Sequence, residues 1–131
     1  SDAVDFDYSN LKINKIIVNK AGNDCLDLSS GTYHVNEVEL NNCGDKGISV
    51  GEKTYFTNDL AFIENSNVAV ASKDSSEVYL NIFKPVNCKI VCFAAYRKKQ
   101  EFNGAFLEVK QPIYDNKVNI FKDKFSEIIL R

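Results

Sequence analysis

A repeat of 22 residues constrains the fold of this chain more than any other feature of its sequence. Each repeat opens with two apolar or small residues that are separated by one residue. The first of these positions forms the column Val4, Leu26, Ile48, Val70 and Cys92. The second forms the column Phe6, Leu28, Val50, Ser72 and Ala94. Because alternate apolar residues are typical of a strand with one buried side, each repeat is predicted to begin with a short β-strand.

Two further strands are predicted in each repeat by the same alternation. The second strand contains Leu11 and Ile13, and then Tyr33 and Val35 one repeat later. The third strand is marked by the pairs Ile16 and Val18, Val38 and Leu40, and Leu60 and Phe62. Between repeats lie residues that tolerate positive φ, namely Asn23, Asp45 and Asn67 with the adjacent Gly22 and Gly44.

Such a unit cannot bury its apolar side alone, but coiling lets each strand pair in parallel with its equivalent one repeat away. The sequence therefore predicts an all-β fold, a right-handed single-stranded parallel β-helix. The coils are residues 2–23, 24–45, 46–67, 68–89 and 90–112. Asn14, Asn36 and Asn58 are expected to form an inward asparagine ladder, or else to be three solvated turn residues. A leucine-rich horseshoe is disfavoured because its leucine signature and helix are missing, and an antiparallel sandwich would not keep so regular a step.

Residues 113–131 depart from the repeat and are predicted to cap the stack, because an exposed terminal strand invites pairing. Their apolar residues alternate loosely with charged ones and are Val118, Ile120, Phe121, Phe125, Ile128, Ile129 and Leu130. The first coil starts at residue 2 with no comparable cap, and the chain contains no Met. We therefore expect a single domain that is a piece of a longer parent chain.

Charge and composition exclude several classes of function. The net charge is −2, and no basic face is available to neutralise the phosphates of a nucleic acid. No apolar run is long enough for a membrane span, and the polar residues 1–5 do not resemble a signal peptide. The four cysteines, Cys25, Cys43, Cys88 and Cys92, match no zinc pattern. They are interpreted as small buried hydrophobic residues, with disulfides left as an alternative.

The stretches 45–52 (DKGISVGE) and 70–76 (VASKDSS) resemble coils of right-handed parallel β-helix repeat proteins of the pectin-lyase-like superfamily. The resemblance covers residues 2–110 and implies the same fold. It also implies contact with polysaccharide and a bacterial protein that is secreted, periplasmic or on the cell surface. It does not decide catalysis, because the superfamily includes lyases, glycoside hydrolases, epimerases, adhesins and non-catalytic scaffolds. No catalytic motif of that superfamily can be matched residue by residue.

Substrates of that superfamily usually lie along the outer side of the first sheet, where Asp5 and Asp27 are expected on adjacent coils about 5 Å apart. That spacing suits the carboxylate pair of a retaining glycosidase, or a calcium site with oxygen ligands. The alternative to a ligand site is an ordinary solvent-exposed face with spaced charges. The residues proposed to contact a ligand are Asp5, Asp7, Asp27, Glu52, Lys73, Asp74, Tyr96 and Arg97. No cofactor is predicted, and calcium is the one metal considered.

Residues 96–99 (YRKK) form the one basic cluster, with Phe93 and Phe102 nearby. The cluster is interpreted either as a grip for an acidic sugar or as a polar turn in the last full coil. His34 has no acidic, serine or cysteine partner at a recognisable spacing, and is predicted to be an exposed strand residue.

These observations together predict a non-catalytic or accessory β-helix domain that contacts carbohydrate. One alternative is a polysaccharide lyase, glycoside hydrolase or epimerase acting on the outer side of the first sheet. The other is a structural spacer or oligomerising stalk.

Overall fold

The computed structural model describes residues 1–114 and 119–131. Within these ranges the chain forms strands and turns. The strands are β1 (Val4–Asp7), β2 (Asn10–Val18), β3 (Leu26–Ser29), β4 (Thr32–Asn41), β5 (Lys46–Gly51), β6 (Tyr55–Lys73), β7 (Glu77–Tyr96), β8 (Phe106–Pro112), β9 (Ile120–Lys122) and β10 (Glu127–Leu130). A helix of the length and apolar character needed to cross a membrane is not found in the described part of the chain.

All pairings between these strands are parallel, which confirms the predicted β-helix. The first sheet stacks β1, β3, β5, the ends of β6 and β7, and β9. Leu26 pairs with Ile48 and Ile48 with Val70, and all three side chains are fully buried. This is the buried apolar ladder that the 22-residue step predicts.

The second and third sheets are formed by β2, β4, the first parts of β6 and β7, β8 and β10. Pairing between β2 and β4 skips Asn14 and Asn36, where both strands bend. The residues before the bend form the second sheet, and those after it form the third. Each coil therefore has three faces, as predicted.

A one-residue insertion after Gly51 corrects the predicted columns of the second and third sheets. Tyr33 pairs with Phe56, not with the Tyr55 that a strict step would give. The third-sheet column continues through Ala61 and Ile63, both buried, whereas Leu60 is 43% exposed and Phe62 is half-buried on the outer side. The extra residue is taken up in the turn, where Glu52 and Lys53 both have positive φ.

A second shift in register lies between Ser66 and Val68. Val70 consequently pairs with Phe93 and Ser72 with Ala95, instead of the predicted Cys92 and Ala94. A bulge of this kind adds a residue to one strand while the pairing on both sides continues.

The asparagine ladder is also displaced from its predicted column. Asn36 donates to Asn14 at 3.1 Å, but Asn58 pairs with Val35 and its side chain is buried. The chain instead forms a ladder of side-chain hydrogen bonds at a turn between coils, where the residues have positive φ. Its members are Asn42, Asn65 and Asn87.

Gly22 and Gly44 do not have positive φ, contrary to the prediction from the turn column. Gly44 is required by close approach of the backbone, because a Cβ there would lie 2.1 Å from the carbonyl oxygen of Gly22, whereas a Cβ on Gly22 would lie 3.2 Å from the backbone nitrogen of Ser1.

The segment predicted to cap the stack contributes two strands that continue it. Phe93 pairs with Ile120, and Phe106 pairs with Glu127. Ile128 and Leu130 pack on the core as apolar residues of the earlier coils do, so the alternation there builds a sixth coil. Val118, which was included in the predicted cap, lies outside the described residues.

The cysteines form two disulfides, Cys25–Cys43 and Cys88–Cys92, rather than remaining four unpaired buried residues. The first joins the start of β3 to the corner after β4, within one coil. The second closes a four-residue separation beside the shift in register. Coil geometry brings Cys25 and Cys43 together across 18 residues, whereas Cys88 and Cys92 lie four residues apart in β7, on either side of the register shift.

Candidate functional site

The outer side of the first sheet carries the predicted pair of carboxylates. Asp5 pairs with Asp27 on the adjacent coil, as expected, and Asp27 pairs in turn with Ser49. Beyond that point the outward column is closed, since Ser49 and Ala71 are 1% and 0% exposed. The column is therefore open to solvent at its first two levels, Asp5 and Asp27, and covered at the next levels.

Long side chains lie over this closed part of the sheet. The Lys73 side chain passes beside Gly51, and its Cε lies 3.6 Å from the position that a Cβ added to Gly51 would take. Burial lowers the pKa of Lys73, and the charges of Lys46 and Lys98 lower it further. Burial likewise raises the pKa of the Tyr96 hydroxyl.

Three carboxylates meet at the open end of the column, and we call Asp2, Asp24 and Asp27 the acidic cluster. One oxygen from each lies within 4.8 Å of the others. The backbone holds two of them in place, because Asp2 Oδ1 accepts the N–H of Asp24 at 2.9 Å and Asp24 Oδ1 accepts the N–H of Lys46 at 3.0 Å. The cluster therefore bridges neighbouring coils through main-chain hydrogen bonds.

Asp27 is the most perturbed member of the acidic cluster. Burial raises the pKa of its carboxyl group to about 7, and a hydrogen bond with Asp2 and the charges of Asp2 and Asp5 act in the same direction. Lys73 opposes this rise, but its ammonium forms no ion pair with a carboxylate in the described ranges.

The other predicted contact residues of this side are spread over the turns. Asp7 is exposed at the end of β1. Glu52 forms an ion pair with Lys99. Asp74 is buried, and its Oδ1 accepts the N–H groups of Lys98 and Lys99 at 2.6 and 2.9 Å, so its carboxylate shapes a turn.

The basic cluster at residues 96–99 is tied to the last coil. The Arg97 guanidinium lies 3.9 Å from the centroid of the Phe125 ring, and the backbone N–H of Arg97 donates to Asp123 Oδ2 at 2.8 Å. Tyr96 meets Phe121 edge to face at 5.9 Å. Phe93 is fully buried in the core, so the structure does not bring it to the surface beside these charges.

His34 is half-buried, not exposed as predicted. Its Nδ1 lies 2.6 Å from Thr57 Oγ1, and its Nε2 lies 2.7 Å from Asn36 Oδ1. The carboxylate of Asp59 is 3.4 Å from Nε2. Both ring nitrogens thus have polar neighbours on the outer side of the second sheet.

The same outer side displays aromatic rings that the sequence analysis did not single out. We call Tyr55, Tyr79 and Phe106 the aromatic ladder. Ring centroids are 5.5 Å apart between the two tyrosines and 5.4 Å apart between Tyr79 and Phe106. The rings point outward, because the adjacent Phe56 is buried in the core, and Tyr55 is 43% exposed.

An open groove of about 650 Å³ adjoins the aromatic ladder at Tyr55. Its walls combine apolar surface with hydroxyl, amide, imidazole and ammonium groups. The lining residues are Asn10, Leu11, Lys12, Thr32, Tyr33, His34, Tyr55 and Thr57. In the middle of the aromatic ladder, the Tyr79 hydroxyl donates a hydrogen bond to Glu77 at 2.8 Å. This hydrogen bond is the main cause that raises the pKa of Tyr79 to about 12.

The strict repeat hid the aromatic ladder but not the acidic cluster. A step of 22 residues places Tyr55 in the column of the inward Tyr33, and only the insertion after Gly51 turns Tyr55 outward. Asp2 and Asp24 are also one repeat apart, three residues before Asp5 and Asp27. Comparing those two columns would have been the available signal for the acidic cluster.

Comparisons with known proteins do not assign a family: no family model, no curated protein and no solved structure matches this chain. Membership of the pectin-lyase-like superfamily therefore stays a prediction, whereas the parallel β-helix is seen directly in the strand pairing.

Proposed function

We propose that this domain is a non-catalytic module that binds a linear, uncharged polysaccharide along the outer side of its second sheet. The observation that carries the proposal is the aromatic ladder beside an open polar groove. The carbohydrate prediction is thereby kept, but its location moves from the first sheet to the second.

Parallel stacking suits this surface to an extended polymer. Asn10 lies on the first coil and Phe106 on the fifth, and four steps of about 4.8 Å give roughly 19 Å along the axis, the length of about four sugar rings. Aromatic rings offer broad apolar faces, while the hydroxyl and amide groups of the groove offer hydrogen bonds that fix orientation. The sheet is already ordered by its backbone pairing, so little conformational entropy is lost on the protein side.

The charges around the ladder favour an uncharged chain over a uronic-acid polymer. Glu77 pairs with Tyr55 on one side and Phe106 on the other, and is exposed. Glu108 pairs with Tyr79 and bonds Arg131 through its Oε2. A carboxylated sugar stacked on these rings would meet the negative charge of Glu77.

The placement of the acidic groups supports binding without turnover. Asp5 and Asp27, the pair considered for glycoside hydrolysis, lie on the first sheet, while the aromatic rings are on the second. The two disulfides support a secreted or surface-associated protein, because such bonds persist in oxidising compartments.

Affinity electrophoresis and calorimetry against soluble β-glucan, mannan and polygalacturonate test the proposal. We expect the neutral polymers to bind, and Tyr79→Ala to weaken that binding about tenfold, since stacked aromatic contacts contribute about 0.5–1.5 kcal/mol beyond buried area. Phe121→Ala is the matched control, because Phe121 is 51% exposed on the first-sheet side.

Two outcomes would contradict the proposal. The first is equal binding by the Tyr79 and Phe121 variants. The second is depolymerisation of any polymer that Asp27→Asn abolishes, which would establish the enzyme alternative instead.

A further inference from the structure

The outer side of the third sheet carries apolar side chains that are at least partly exposed, and we call them the apolar face. Its members are Ile17, Leu60, Phe62, Ile82 and Ile113. Ile17, Leu60 and Ile113 are 54%, 43% and 45% exposed, and the other two are half-buried. Leu60, Phe62 and Ile82 are contiguous, because Leu60 pairs with Ile82 on the adjacent coil. A contiguous exposed apolar surface is typical of a site that binds another protein.

Charges of opposite sign lie on either side of the centre of the apolar face. Glu37 and Glu39 pair with Leu60 and Phe62 from the coil before, and both glutamates are exposed. Lys84 pairs with Phe62 from the coil after, and its Nζ lies 5.7 Å from the centroid of the Phe62 ring. The surface is therefore acidic one coil before its centre and basic one coil after it.

We propose that the apolar face binds a second copy of this chain, so that the protein forms a two-fold dimer with the two stacks antiparallel. A two-fold axis that runs parallel to the third-sheet strands and passes over Phe62 reverses the order of the coils. Glu39 of each copy then faces Lys84 of the other copy, while Leu60 and Phe62 meet their own counterparts at the centre. One surface thus serves both copies, which is the arrangement of a closed dimer.

The charges favour this orientation over the parallel one. An axis along the stack would keep equivalent coils level with each other. Glu37 and Glu39 would then lie opposite the same residues of the other copy, and Lys84 would lie opposite Lys84. Like charges at an interface are unfavourable, whereas the antiparallel orientation pairs Glu39 with Lys84 twice. Glu37 needs no partner across the interface, because Lys15 of its own chain lies 3.5 Å away.

The size of the third sheet indicates a weak dimer. Five coils at about 4.8 Å and five residues at about 3.3 Å give roughly 24 by 16 Å, or roughly 400 Å² on each copy. A standard stable interface buries about 800 Å² per partner, so we expect monomers and dimers of this chain to exchange. Glu64 follows the inward Ile63 on the same outer side, at the edge of the sheet. It would face its own counterpart in the dimer and weaken association further.

Sedimentation velocity of the full chain from about 10 µM to about 1 mM tests the proposal, and we expect the average mass to rise towards that of a dimer. Glu39→Lys and Lys84→Glu should each weaken association about tenfold or more, because each creates two like-charged pairs. The double variant exchanges the two charges and should restore association to within about threefold of the wild type. Glu101→Lys is the matched control, because Glu101 is exposed in the turn between β7 and β8.

Two further variants probe the centre and the edge of the interface. Leu60→Ser removes exposed apolar surface without opening the core and should weaken association, whereas Glu64→Gln should strengthen it. Circular dichroism verifies that every variant folds, and restoration by the double variant separates a direct contact from a loss of folding.

Several results would overturn the proposal. They are a wild-type chain that stays monomeric at about 1 mM, a mass that grows beyond a dimer, and a double variant that associates no better than the single variants. Equal weakening by Glu101→Lys and Glu39→Lys would also overturn it. The proposal does not rest on polysaccharide binding, because the aromatic ladder lies on the second sheet and the apolar face on the third.

Discussion

Asp27 makes the stability of this protein depend on pH in a direction opposite to that of most carboxylates. Its pKa is raised in the folded chain from the ordinary 3.8 to about 7, mainly by burial. A carboxyl group with a raised pKa binds more protons in the folded state than in the unfolded state between these two values. Its contribution is therefore fully present below about pH 4 and is lost as the pH rises through 7.

The size of the effect follows from the shift. About three pH units at about 1.36 kcal/mol each would give about 4 kcal/mol for a fully buried, isolated group. Asp27 is only half-buried, and solvent screening reduces the expected loss to about 1–2 kcal/mol. For a chain of 131 residues this corresponds to about 4–7 °C in melting temperature.

Asp27→Asn tests this reasoning because it removes the titration and keeps the shape of the side chain. Denaturant unfolding of the variant and the wild type, in calcium-free buffer with a chelator, should show the variant gaining about 1–2 kcal/mol relative to wild type between pH 4.5 and pH 8. Asp5→Asn should show no comparable gain. A difference between Asp27→Asn and wild type that stays constant across this range would refute the reasoning.

Burial also raises the pKa of Asp24, so its contribution is lost in the same direction as the pH rises, and it is common to the wild type and the Asp27 variant. Two other carboxyl groups act in a separate pH window. Although burial opposes it, hydrogen bonds lower the pKa values of Asp45 and Asp123 below the ordinary 3.8. Their stabilising contribution is present above about pH 4 and is lost only on further acidification, so it does not obscure the effect of Asp27.

Two further predictions concern packing. Ile48→Asp would place an unpaired charge in the fully buried apolar ladder and should lower the free energy of unfolding by several kcal/mol. Glu52→Gln should lower it by less than about 1 kcal/mol, because it breaks only a solvent-accessible ion pair. Similar denaturation midpoints for the two variants would contradict the assigned core. Gly44→Ala should lower the free energy of unfolding by about 1–3 kcal/mol, because its Cβ would collide with the Gly22 carbonyl oxygen. Gly51→Ala is the control: its Cβ would lie 3.6 Å from the Cε of Lys73, so the variant should unfold nearly as the wild type does.

The sequence predicted the stack of coils because the repeat is a direct record of parallel pairing. Leu26, Ile48 and Val70 could be assigned to one ladder because each step between them is 22 residues: the insertion after Gly51 shifts Asn41 to pair with Glu64, but it is compensated before Lys46 pairs with Val68. Single-residue insertions carry no such record, since a longer turn and a bulge leave the apolar alternation intact on both sides. For that reason Phe93 replaced Cys92 in the first-sheet column.

The candidate sites were predictable only in part, for the same reason. The pairing of Asp5 with Asp27 followed from the repeat, but the contribution of Asp2 depends on how the chain enters the first strand. The closing of the outer side also depends on side-chain paths. No column of the repeat predicts that the Lys73 side chain lies over Gly51.

The outer sides of the first and second sheets differ because their outward residues differ in size. On the first sheet the outward residues Ser49, Ala71 and Ala94 are small and buried, and the Lys73 side chain lies beside them over Gly51. On the second sheet the outward positions include Tyr55 and Tyr79, whose rings stand above the backbone and remain accessible. The surface proposed to bind a linear glycan therefore lies on the second sheet, whereas the first sheet carries a compact group of carboxylates at its open end.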